Sequence, residues 1–106
     1  MAVPKIKWFV EDGLWKFGAS SPAELLRTLQ TYSMEGVADR IRCPMAIVEA
    51  EADLFMTGQP EILYEALTCP KLLMRFSASA AAETHCQAGA VAIATQRTFD
   101  WLDGVV

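Results

Sequence analysis

The chain has 106 residues, 53% of them hydrophobic and 21% charged, with a formal net charge of −4. That length suits one domain with a modest core. An acidic chain without a basic stripe has no electrostatic means of favouring nucleic acid or an anionic membrane as partner. No apolar run approaches the ~18 residues of a membrane span.

The opening stretch, Met1 to Val10, has two lysines but neither a long apolar core nor a small-residue cleavage site, so it does not read as a signal peptide. Within residues 1–19, Trp8, Phe9, Leu14, Trp15 and Phe17 follow no clear period. The expectation is an irregular segment lying on a surface, its aromatic residues serving as core or interface. Ser21-Pro22-Ala23-Glu24 is a helix start: serine caps, proline fits the first helical position and glutamate completes a capping box. Leu25, Leu26, Leu29 and Tyr32 then form one apolar stripe, and Gly36 ends or bends the helix.

Cys43-Pro44 stops that pattern. Met45 to Val48 is a continuous apolar run, as expected of a strand covered on both faces. A polar loop over 51–58 holds Asp53 and Gly58. Pro60 opens a helix expected to turn Ile62, Leu63, Ala66 and Leu67 inward, and Lys71 to Phe76 is a second strand. After the 77–85 loop, Val91, Thr95, Phe99, Leu102 and Val106 trace a helix face.

The fold class is therefore α/β, in the order helix, strand, helix, strand, helix, with two parallel strands and flanking helices. Strands joined by a helical crossover run parallel with a right-handed connection. The loops after them open at the same sheet edge, where α/β proteins bind ligands. Asp53 and His85, the single histidine, lie in those loops. A carboxylate beside an imidazole fixes its tautomer and stabilises the imidazolium of a general base. The bland alternative is a turn-forming aspartate and a helix-capping histidine. A two-stranded parallel sheet also leaves strand edges unpaired, which invites self-association or completion by other strands.

Other chemistry has little support. Glu83, His85 and Cys86 are too crowded to share one metal ion, and there is no CxxC, HExxH or glycine-rich phosphate loop. No cofactor or metal is expected. Cys43, Cys69 and Cys86 are odd in number and lack framework spacing, which reads as reduced thiols in a cytoplasm.

The segments Ile41-Arg42-Cys43-Pro44, Glu49-Ala50-Glu51-Ala52-Asp53-Leu54-Phe55, Gly58-Gln59-Pro60, Leu67-Thr68-Cys69-Pro70-Lys71, Glu83-Thr84-His85-Cys86-Gln87-Ala88-Gly89-Ala90 and Phe99-Asp100-Trp101-Leu102 resemble the C-terminal third of α/β-hydrolases. The similarity is to the bacterial dipeptidyl-aminopeptidase and acylaminoacyl-peptidase-like hydrolases. The resemblance implies a partial α/β-hydrolase fold, with residues 1–40 a cap- or lid-like segment carrying one amphipathic helix and residues 41–106 a C-terminal βαβα unit. It implies that Asp53 and His85 are the acid and base of a catalytic triad, with Glu51 a substitute acid only if Asp53 points away. It implies esterase- or peptidase-like acyl hydrolysis of a small ester, amide or ketone substrate.

This chain departs from the family's pattern in two loops. Thr57 stands where the Asp-x-x-hydrophobic-Pro pattern has proline, and Ser79 to Glu83 is less glycine-rich and acidic than usual. The nucleophile elbow, Gly-x-Ser-x-Gly between a strand and a helix, is not in the sequence. Ser20, Ser21, Ser33, Ser77 and Ser79 all lie outside such a motif, and Gly18-Ala19-Ser20-Ser21-Pro22 reads as a helix cap. Cys86 adjoins His85, but consecutive helical side chains diverge by ~100°, so it reads as a packing residue. The serine is expected upstream of the matched region, leaving the chain inactive alone. The competing expectation is a non-enzymatic, self-associating module derived from a hydrolase.

Overall fold

The computed structural model describes residues 4–106; the first three residues of the stretch weighed as a leader lie outside them. The chain divides into a unit ending at Met34 and a unit beginning at Glu35. Ala38, 2% exposed, and Ile41 pack into the core of the second unit, which is why the division falls before residue 40.

In the first unit, Pro4–Phe17 is not irregular but a helix, α1. Pro4 sits in its first turn, where a missing N–H costs nothing. Lys7–Glu11 and Asp12–Lys16 pair one turn apart, the second at 2.9 Å. Of the large apolar residues, Phe17 meets the Tyr32 ring edge-on, with centroids 5.6 Å apart. Trp8, Phe9, Trp15 and Phe17 are all exposed, and they are not a core. The close contact is made by Gly13, where a Cβ would lie 2.6 Å from Leu25 Cδ2. Gly18, at φ +62°, ends α1. The Ala19 N–H donates to Leu14 O and the Gly18 N–H to Trp15 O, a Schellman closure that needs the left-handed residue.

The second helix, α2, spans Pro22–Leu29. Ser21 Oγ accepts from the Glu24 N–H at 3.2 Å, and the Glu24 carboxylate accepts from the Ser20 N–H at 2.8 Å and from the Ser20 hydroxyl. The capping box forms as expected, displaced by one residue on its return arm.

The second unit is built on β1, Met45–Ala50, and β2, Lys71–Phe76, paired parallel from Met45↔Lys71 to Ala50↔Phe76. Between them lies α3, Gln59–Ala66, and after them α4, Val91–Val105. Among the described residues the sheet has these two strands. Alternation gives each strand two apolar faces. On one face Ile47 joins Ala38, Leu67 and Cys69, with Met45, Leu63, Tyr64 and Leu73 around them. On the other, Met74 and Phe76 meet Ala82, Ala90, Ala94 and Trp101.

The two flanking helices are rotated from their expected faces. In α3, Leu63 and Tyr64 turn inward with Leu67 just beyond the helix end, whereas Ile62 is 63% exposed. In α4 the stripe of Val91, Phe99, Leu102 and Val106 is exposed. The packed face is one residue earlier: Ala90, Ala94 and Trp101, with the Arg97 guanidinium 5.1 Å over the Phe76 ring. A one-residue offset is ~100° of rotation. The small Ala90 and Ala94 let the start of the helix approach the narrow sheet closely, and Trp101 packs against the same cluster further along.

Lys71 ties α3 to the sheet. Its ammonium donates to Tyr64 O at 2.6 Å and Leu67 O at 2.9 Å and lies 4.4 Å from the Tyr64 ring centroid. It thereby satisfies carbonyls that the helix end leaves open and places a cation at the negative end of the dipole. Lys71→Met keeps the stem and removes the donors. It is expected to lower unfolding stability by about 1–3 kcal/mol, read as an earlier urea midpoint with an unchanged slope.

Candidate functional site

Parallel pairing carries the chain out of β1 and β2 at the same edge. Three bonds then lace the two exit loops together. The Glu51 N–H donates to Phe76 O at 3.0 Å, the Ala52 N–H to Glu83 O at 2.8 Å, and the Ala78 N–H to Glu51 Oε2 at 2.9 Å. Glu51 is thus occupied in joining the loops and is not the acid beside the histidine.

That acid is Asp53, whose Oδ2 lies 2.8 Å from His85 Nδ1. Its other oxygen, Oδ1, accepts from the N–H groups of Phe55 at 2.7 Å and Met56 at 3.1 Å. This turn, Asp53 to Thr57, is closed by the Thr57 hydroxyl donating to Asp53 O at 2.7 Å. Threonine thus does by hydrogen bonding what a proline does by fixing φ, which explains how the departure at Thr57 is tolerated. Burial pushes the Asp53 carboxyl up, but the bonds from His85, Phe55 and Met56 outweigh it, and the net is below the ordinary carboxylate value. The aspartate side chain is 13% exposed, its histidine partner 42%.

A carboxylate can only accept, so Nδ1 carries the proton and the imidazole lone pair resides on Nε2. The Phe55 ring meets the imidazole edge-on, with centroids 5.0 Å apart and planes at 60°. His85 begins a short turn in which Cys86 (φ +56°) and Gln87 (φ +51°) are left-handed, costly conformations for residues other than glycine. The turn is held by the Gln87 N–H donating to Thr84 O at 2.8 Å and the Ala90 N–H to Gln87 O at 2.8 Å. Gly89 lets the two arms of the loop touch: a Cβ there would stand 2.6 Å from Ala81 O. Neither the ring of Phe55 nor the close approach at Gly89 was legible as a site feature, since each depends on contacts between separate loops.

An open groove of about 420 Å³ passes the pair. It touches Met45, Ala46, Ile47 and Val48 in succession. Consecutive strand residues point to opposite faces, so a groove meeting all four follows the outer edge of β1. Pro60 and Leu63 of α3 line it on one side, and Asp53, His85, Cys86 and Gln87 line it near the loops. Ser20 and Ser21 belong to the α2 cap. Ser77 and Ser79 bond each other at 2.7 Å. Cys86 is exposed, and Cys43 and Cys69 are free. Among the described residues no group of three metal-ligating side chains gathers, and no helix is long and apolar enough to cross a membrane.

Two fungal proteins named as hydrolases and one named as a hydrolyase are similar to this chain. It is 31% identical over 108 residues to 20-hydroxy-prefusarin hydrolase FUS2 of Gibberella moniliformis, covering 93% of this chain and 25% of that protein. It is 28% identical over 105 residues to hydrolase acrC of Aspergillus aculeatus, covering 93% and 24%. It is 31% identical over 108 residues to hydrolyase poxO of Penicillium oxalicum, covering 92% and 26%. The chain therefore spans about a quarter of the length of these curated relatives. No protein-family model matches it, and no solved structure matches it significantly. What is shared is similarity to a portion of hydrolases; the relatives are fungal, and their names lend no support to the bacterial dipeptidyl-peptidase-like family.

The lowered Asp53 carboxyl predicts a pH effect. The unfolded chain takes up this proton first, so the contribution is present above the unfolded carboxylate range, about pH 4, and is lost as pH falls through the lower folded value. Asp53→Asn is expected to destabilise the chain at neutral pH. The gap in urea midpoint between it and the unmodified chain should narrow as pH falls below the ordinary carboxylate range.

Proposed function

We propose that this chain is the acid-and-base portion of a serine α/β-hydrolase. His85 acts as the general base through Nε2, Asp53 orients it and stabilises the imidazolium, and the nucleophile comes from protein outside these 106 residues. The observation that carries this reading is the 2.8 Å Nδ1–Oδ2 bond at the exit edge of two parallel strands. It supplies two of the three triad roles with the correct nitrogen left free. In the completed site His85 would take the serine proton as an acyl carbon is attacked, and return it to the leaving group.

Esterase- or peptidase-like hydrolysis of a small ester, amide or ketone is the reaction class consistent with such a base. The similarity to proteins named hydrolases supports the hydrolytic part of this reading. In this reading residues 1–40 are a cap-like segment, whose Trp8, Phe9, Trp15 and Phe17 side chains are exposed apolar surface. The same exposure, with the exposed stripe on α4 and the open edge of β1, favours a second reading in which the chain is a self-associating, non-enzymatic module.

Alone, the chain is expected to show no fluorophosphonate-labelled serine and no turnover above background. The positive test is a chimera in which this chain replaces the matching quarter of the Gibberella hydrolase. Labelling of a serine in the remainder is expected to be rapid and to fall by at least ~10²-fold in His85→Ala. Labelling indifferent to His85 would remove the general-base role. A tight dimer of the isolated chain by light scattering, with an inert chimera, would favour the module.

A further inference from the structure

We infer that Phe55 is the positioning residue of the Asp53–His85 pair, acting through both its backbone and its ring. The inference rests on the general-base reading above and assigns to one residue the task of holding both partners.

Two separate contacts converge on Phe55. Its N–H donates to Asp53 Oδ1 at 2.7 Å, fixing the carboxylate so that the other oxygen faces the imidazole. Its ring stands edge-on to that imidazole, with centroids 5.0 Å apart. The ring remains 50% exposed, so core packing does not account for its position. A loop histidine whose side chain is 42% exposed has little else to stop it rotating about χ1 and χ2. The hydrogen bond to Asp53 fixes Nδ1 as a pivot, and the ring limits rotation about that pivot. Together they set the direction of Nε2, where a nucleophile's proton must arrive. Leu54, at 77% exposure, lacks such a contact and marks the contrast within the same turn.

Phe55→Ala retains the backbone N–H and deletes the ring, so it separates the two contributions. His85 is the chain's one histidine, and its imidazole N–H signal in the proton NMR spectrum is unambiguous. The unmodified chain is expected to show a low-field N–H resonance from Nδ1, protected from exchange with water. In Phe55→Ala that exchange should quicken roughly tenfold, as loss of an aromatic-pair contact allows. The rest of the amide spectrum should stay in place. Phe55→Tyr, which keeps the ring, should restore the slow exchange. Phe55→Leu decides the matter if the alanine variant does not fold, and faster exchange is expected there too.

Unchanged exchange in Phe55→Ala, or in Phe55→Leu where that variant decides, overturns the positioning role. Asp53→Asn separates this failure from a failure of the general-base reading. If Asp53→Asn abolishes the signal while loss of the ring has no effect, only the role of Phe55 falls. If the unmodified chain lacks the signal, or Asp53→Asn leaves it intact, the acid–base pair itself falls, and this inference with it.

Discussion

The parallel register of β1 with β2 is the constraint on which the rest depends. Ala50 stands opposite Phe76, so the acid loop and the histidine loop begin side by side. Without that alignment Asp53 and His85, 32 residues apart in sequence, would have no reason to meet. The backbone bonds from Glu51 to Phe76 and from Ala52 to Glu83 continue the alignment past the strand ends. The side-chain pair is the last step of an arrangement that the backbone has nearly completed, and little conformational entropy remains to be lost when it forms.

The same arrangement explains why the molecule has so much apolar surface left over. A two-stranded parallel sheet can be covered on its faces by α3 and α4, but β1 keeps an outer edge, followed by the groove that reaches His85. Parallel sheets are normally buried on both faces and flanked by further strands. Val48 and Leu72 remain 40% exposed on the face that α4 only partly covers. On α4, Val91, Phe99 and Leu102 stay exposed, while Ala94 and Trp101 pack on the sheet. These features agree with similarity to about a quarter of longer hydrolases.

Within the site, local turn chemistry and tertiary contact divide the work. Asp53 with Phe55, Met56 and Thr57 forms a self-contained turn that would present a carboxylate in almost any context. The histidine loop is different: three left-handed non-glycine residues, Ala81, Cys86 and Gln87, and the close approach of Gly89 to Ala81 hold it in shape. Such strain persists only where the surroundings over-determine it. The imidazole is therefore placed by the fold, and the carboxylate largely by its own neighbours.

Much was legible in the residues themselves. The capping box at Ser21 and Glu24, the two strands after prolines, the crossover helix and the placing of Asp53 and His85 in the loops after the two strands all follow from local propensity and from period-2 or period-3.6 patterning. The periodicity did not decide which stripe of α3 or α4 turned inward, because neighbouring stripes both satisfied the helical period. The choice fell to fit: Ala90 and Ala94 approach the sheet where Val91 and Phe99 would hold it away. Nor did it reveal α1, whose contact is a glycine against Leu25 rather than an apolar stripe. The sequence by itself determined which groups could act as acid and base and in which loops they lie. Only the tertiary structure decided that Oδ2 meets Nδ1, that Glu51 is engaged elsewhere and that a phenylalanine ring stands against the imidazole. Those outcomes depend on distances between loops far apart in the chain, and a pattern of residue types encodes no distance until the strands have paired.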